Sequence, residues 1–156
     1  MARTGDVTVL NRLTAREQLG ASAWVAAVCA RHGHPDLARV LLERSSSADV
    51  EAMPMRHGDL GVLCMLAEAY YELRDVTTAA RLYARLQPYA AYNAVGIVLD
   101  YRGSVAYHLG MLSLLLDRPQ PAVEHLQRAL AFNTSLGMPL QVGRTRELLA
   151  RASALI

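Results

Sequence analysis

What most limits the folds open to this chain is a nearly continuous helical periodicity, cut at intervals by short turns. Apolar residues recur every three or four positions along most of its length. Strand signals are almost missing. The best β-like stretch, Val95-Gly-Ile-Val-Leu99, continues into a longer helical pattern. The periodicity predicts seven helices, over about 14–31, 35–45, 58–73, 76–87, 93–116, 119–134 and 139–154. Their ends carry physical stop and start signals. Gly33, between His32 and His34, ends the first, and Pro35 suits the first turn of the second. Ser45-Ser46-Ser47 opens a polar loop. Asp75 can cap the fourth helix, and Pro88 stops it. Pro119 and Pro121 sit in the first turn of the sixth, and Gly137 and Pro139 separate it from the seventh.

Long and shorter helices alternate, so internal repetition is the next test. Three segments superpose. The middle one carries Leu63, Leu66-Ala67 and Tyr70, then Ala79 and Tyr83. The last carries Ala106, Leu109-Gly110 and Ser113, then Ala122 and Leu126. The first carries Ser22, Val25-Ala26 and Cys29, then Ala38 and Leu42. This pattern resembles the tetratricopeptide repeat. Small residues let the two helices of a hairpin approach closely, and large ones fill the gap between hairpins that cannot bury their own apolar faces. The aligned alanines are 41 and 43 residues apart, against a standard repeat of about 34. The excess falls in the Ser-rich loop and the 88–94 connection. The expected fold is therefore all-α: a TPR-like right-handed array of three helical hairpins plus a C-terminal capping helix. It would form one domain over 1–156, with 1–13 as an irregular N-terminal segment.

Composition removes several functions. At 156 residues and 53% apolar, the chain can bury a core and is not disordered. The net charge of +2 and the scattered arginines give no strong field toward nucleic acid or membrane. All 16 basic residues are Arg. Without Lys, neither a Schiff base nor a phosphate-loop lysine can exist. Cys29 and Cys64 each sit in an apolar helical run, as buried free thiols do. The N-terminus lacks the apolar core of a signal peptide, and no apolar run reaches the length of a membrane span. A soluble cytoplasmic protein is expected. The histidines lack zinc-site spacing, so neither metal nor cofactor is expected.

Three further stretches carry a more specific likeness. They are Leu82-Tyr-Ala-Arg-Leu-Gln-Pro-Tyr-Ala90, Arg102-Gly-Ser-Val-Ala-Tyr-His-Leu-Gly110 and Pro121-Ala-Val-Glu-His-Leu-Gln-Arg-Ala-Leu130, followed by Gly143-Arg-Thr-Arg-Glu-Leu-Leu-Ala150. The region 60–152 resembles the C-terminal helical repeats of large actinobacterial ATPase regulators, the LuxR-type and MalT-like activators and their cyclase-linked relatives. The Arg-only, Ala- and Leu-rich composition fits the same GC-rich coding bias. The resemblance implies a sensor or protein-interaction segment. The family's ATPase loop, GxxxxGK[ST], does not occur in this chain. Leu13-Thr-Ala-Arg-Glu17 matches the opening of a LuxR-type DNA-binding bundle, but the rest of that domain does not follow.

In such arrays the first helix of each hairpin lines the concave face. At 100° per residue, Cys64, Glu68, Tyr71 and Glu72 share one side of the third helix. Ser104, Tyr107, His108 and Met111 share the matching side of the fifth, with Tyr101 one turn earlier. Trp24, Ala27 and Arg31 are the counterparts on the first helix, and Gln141 and Arg144 close the far side. The leading expectation is a non-catalytic module that binds a partner protein, a peptide or a small ligand there. The rival is a small cyclase- or isomerase-type enzyme of secondary metabolism, using Glu68, His108 and Tyr107 for acid–base work in an apolar pocket. A homodimer through the groove or an exposed array end is a third reading.

Overall fold

In the computed structural model of the chain, residues 15–43, 59–95 and 101–156 are described. Seven α-helices stand among them: α1 (Ala15–Arg31), α2 (Pro35–Glu43), α3 (Asp59–Glu72), α4 (Val76–Leu86), α5 (Val105–Leu115), α6 (Pro119–Ser135) and α7 (Pro139–Ser153). The fold is all-α. A single 3-10 turn, Gln87–Tyr89, follows α4. Helices α1 and α2 pack together, as do α3 and α4, and α5 and α6. Helix α3 also lies on α1 and on α5, and α7 covers α6 and touches α5. The expected 1–13 segment and the Ser-rich loop lie outside the described residues.

One helix differs from the sequence expectation. Of the described residues in 93–116, those from Val105 to Leu115 are helical. Asn93–Val95 (β1) and Tyr101–Ser104 (β2) form a two-stranded antiparallel ribbon instead, with an irregularity after Ala94. Two local features explain the late helix start. Gly103 has φ +95°, a left-handed backbone that cannot continue a helix. Ser104 is the N-cap, its hydroxyl accepting the Tyr107 N–H at 3.2 Å. Tyr101 and Ser104 are thus a strand residue and a cap, not two more turns of a helical wall.

The three hairpin turns share one form, which the α6–α7 connection at Gly137 (φ 65°) also takes. Gly33, Arg74 and Asp117 all have left-handed φ (84°, 58° and 56°), each two residues past its helix. Each turn carries the same pair of backbone bonds. In the first, Gly33 N–H donates to Ala30 O and His34 N–H to Cys29 O; in the second, Arg74 to Tyr71 and Asp75 to Tyr70; in the third, Asp117 to Leu114 and Arg118 to Ser113. This is the double bond of a Schellman cap. The three turn residues have the same 41- and 43-residue offsets as Ala38, Ala79 and Ala122.

Those three alanines have no exposed surface. They sit in one core with Leu63, Leu66, Leu82, Leu109, Leu112 and Leu126. Gly110 is needed for close approach. A Cβ there would stand 2.5 Å from Leu126 Cγ and 3.2 Å from Ala122 O. Helix α5 is apolar all round and buried along nearly its whole length, so it is an internal element rather than one with an open side.

Candidate functional site

Three helices each send one cationic side chain to a carboxylate on a fourth. Glu68 and Glu72 are one turn apart on α3, so both face the end of α1. Arg31, in the last turn of α1, spans them: its Nε donates to Glu72 Oε1 at 3.1 Å and its Nη2 to Glu68 Oε2 at 3.0 Å. From α7, Arg144 Nη2 reaches the same Oε2 at 3.5 Å. From α5, His108 Nε2 faces Glu68 Oε1 at 3.3 Å.

The partners of His108 favour its charged form. Its Nδ1 lies 3.2 Å from the Ser104 carbonyl oxygen and its Nε2 faces the Glu68 carboxylate. With Glu68 ionised both partners only accept, which favours a proton on each ring nitrogen. Burial of the ring pulls its pKa down. Interaction with Cys64, one turn before Glu68, and then with Glu68 itself outweighs burial and pushes it up to about 10. For Glu68 burial pushes the other way, upward. The bond and charge of His108, followed by Arg144 and Arg31, hold the carboxyl well below its usual range. The pair is ionised on both sides.

Tyr107 completes the group. Its ring meets His108 edge-on, with centroids 5.2 Å apart, and the Arg144 guanidinium lies 5.4 Å above it. Burial, ahead of the nearby charges, raises the Tyr107 phenol pKa.

Of the fourteen residues singled out from sequence, Arg31, Glu68, Glu72, Tyr107, His108 and Arg144 converge here. Cys64, Ser104, Tyr107, His108 and Met111 are buried, which corrects their expected place on an open wall. The cause is the all-round packing of α5. Tyr71 is half-buried on the core edge. Trp24 is half-exposed two turns before Arg31; Tyr101 is placed by its backbone in β2. Gln141 lies beside Gly103.

A second cluster was not foreseen. Tyr83 Oη and His125 Nε2 share a hydrogen bond of 3.1 Å, and Arg118 lies 5.8 Å over the Tyr83 ring. The repeat alignment was the available signal: it equates Tyr83 with Leu126, next to His125.

Chemically, the Glu68 group offers hydrogen-bond donors and charge rather than a free base. No exposed surface of His108 remains, and both its nitrogens are committed. Among the described residues no three His, Cys, Asp or Glu side chains are grouped to hold a metal ion. No helix there is long and apolar enough to cross a membrane. Comparisons with protein-family models, curated proteins and solved structures found no match to the chain.

Proposed function

We propose that this chain is a non-catalytic, tetratricopeptide-like binding module, cytoplasmic and regulatory, that engages a partner protein, a peptide or a small effector on the side where α1, α3 and α7 meet over the buried α5. One observation carries the reading. The four helices meet in a single ion-pair network whose two arginines keep 42% and 35% of their side chains exposed. A network built only to neutralise buried charge would hide its guanidinium groups. Here Arg31 and Arg144 are oriented by Glu68 and still presented to solvent, as a recognition surface requires.

The enzymatic alternative needs a base that can reach substrate. His108 is its natural candidate, and the burial described above keeps it from that role. A fragment and peptide screen by NMR on the full chain tests the choice. Hits that shift resonances of Arg31, Glu68, Tyr107 and Arg144 support the module. Hits clustered on α2, α4 and α6 instead would sink it, as would turnover of a bound compound that stops in His108→Gln.

A further inference from the structure

The Glu68 crossing also indicates the chemistry of its occupant, given the binding reading above. Glu68 uses its two oxygens differently. Oε1 faces inward to His108. Oε2 receives both arginines, Arg31 at 3.0 Å and Arg144 at 3.5 Å. Two guanidinium groups drawn to one oxygen are near enough for a single carboxylate to bridge. Three cations, Arg31, Arg144 and His108, face two anions, Glu68 and Glu72, which leaves one positive charge in excess.

We propose that Arg31 and Arg144 form the seat for a carboxylate-bearing ligand, and that Glu68 Oε2 fills this seat until the ligand arrives. An incoming carboxylate takes Arg144 and shares Arg31. Arg144 is the easier to release. Its contact with Glu68 is the longest in the network, and its stacking on Tyr107 keeps the guanidinium aimed after it leaves. Glu68 is not left as an unpaired buried charge, because the His108 imidazolium still neutralises it through Oε1. The buried histidine thus frees the arginines for exchange. A single excess positive charge favours a monoanion. A phosphate dianion would meet Glu68 and Glu72 as like charges.

Titration of the full chain with benzoate, benzamide and inorganic phosphate, followed at the arginine Nε–H resonances, tests the seat. Benzoate is expected to saturate, benzamide not to bind, and phosphate to bind at least about tenfold more weakly. Arg144→Met should weaken benzoate about tenfold. Glu68→Gln should tighten it, but that variant also loses stability. Glu72→Gln therefore carries the test: it frees Arg31 from one partner and leaves Glu68 in place, and should tighten benzoate about threefold. No saturation by benzoate, equal binding of benzamide or phosphate, unchanged binding in Arg144→Met, or no tightening in Glu72→Gln each overturns the proposal. If ligands from the screen still bind the α1–α3–α5–α7 side while benzoate fails, the carboxylate seat falls and the module stands.

Discussion

The molecule contains two trios of the same composition with opposite electrostatics. On the α3–α5–α7 side, Tyr107 meets His108 edge-on and Arg144 lies over the tyrosine. On the α4–α6 side, Tyr83 meets His125 edge-on, at 5.9 Å, and Arg118 lies over that tyrosine. His108 is held charged. The pKa of His125 is lowered, first by burial and then by Arg128, with Glu124 opposing. The two differ in their partners, Cys64 and then Glu68 for His108 and a phenol for His125. Glu68 is aimed at His108 Nε2, whereas the corresponding nitrogen of His125 faces a phenol. Burial alone would make both imidazoles neutral. A directly bonded anion reverses that result even where burial is greater.

Removing that carboxylate's charge should have the largest effect. Glu68→Gln keeps the shape but leaves the buried imidazolium and Arg144 without their anion and Arg31 with Glu72 alone. It is expected to lower stability by about 3 kcal/mol in urea unfolding. His125→Gln, the matched change on the other side, should lower it by about 1 kcal/mol. Equal losses would break the comparison, because Glu68 would then be no more than another surface acid.

The two histidines should also shape stability at opposite ends of the pH scale. The folded pKa of His108 is raised from 6.5 to about 10, so the folded state holds its proton more tightly. Its contribution is full below pH 6.5 and is lost as pH rises from 6.5 to about 10. The folded pKa of His125 is lowered from 6.5, so its contribution is present above 6.5 and lost as pH falls below it. In NMR titration the His108 ring resonances should stay still through pH 6.5, while those of His125 move below it. Unfolding curves should lose stability on the alkaline side, and His108→Gln should flatten that limb. A His108 ring that titrates near 6.5 would mean that Glu68 does not hold the proton.

Part of this contrast was legible in the sequence. The burial of Ala38, Ala79 and Ala122 was, and so was the close approach at Gly110, because small residues at those positions suit packed helices. The facing of Glu68, Glu72, Tyr107 and His108 followed from helical angles on α3 and α5. The burial of His108 did not follow: an angle gives a direction, and only tertiary packing decides whether that direction ends in solvent or in another helix. The ribbon at Asn93–Val95 and Tyr101–Ser104 was missed because apolar spacing there suits a helix, while the deciding features are the φ of Gly103 and the cap of Ser104. The Tyr83–His125 bond joins helices 42 positions apart. An alignment of repeats marks such a pair as near, but not as bonded.

Tyr83→Phe isolates that bond. It leaves the ring for His125 and Arg118 to pack on and removes only the hydroxyl. The expected loss is about 1 kcal/mol. With the phenol gone, His125 loses one polar partner, and its titration midpoint reports whether the hydroxyl favoured the neutral ring. A midpoint that falls further places the phenol as an acceptor from the charged ring; one that rises places it as a donor to the neutral ring.

The smallest effect is expected where the two trios are most alike. Arg118→Met and Arg144→Met both remove a guanidinium from a tyrosine face and keep an apolar stem. On the α4–α6 side, among the described residues, the exposed Arg118 side chain gives that stacking alone, and its removal should cost about 0.5 kcal/mol. On the other side Arg144 adds its contact to Glu68, at 3.5 Å and partly open to solvent, so the excess loss should stay below about 1 kcal/mol. Salt separates the two contributions. Raising ionic strength screens the Arg144–Glu68 attraction more than either stacking contact, so the two losses should converge as salt increases. If they stay apart at high salt, the Tyr107 trio differs by more than its carboxylate, and packing around Tyr107 must supply the rest.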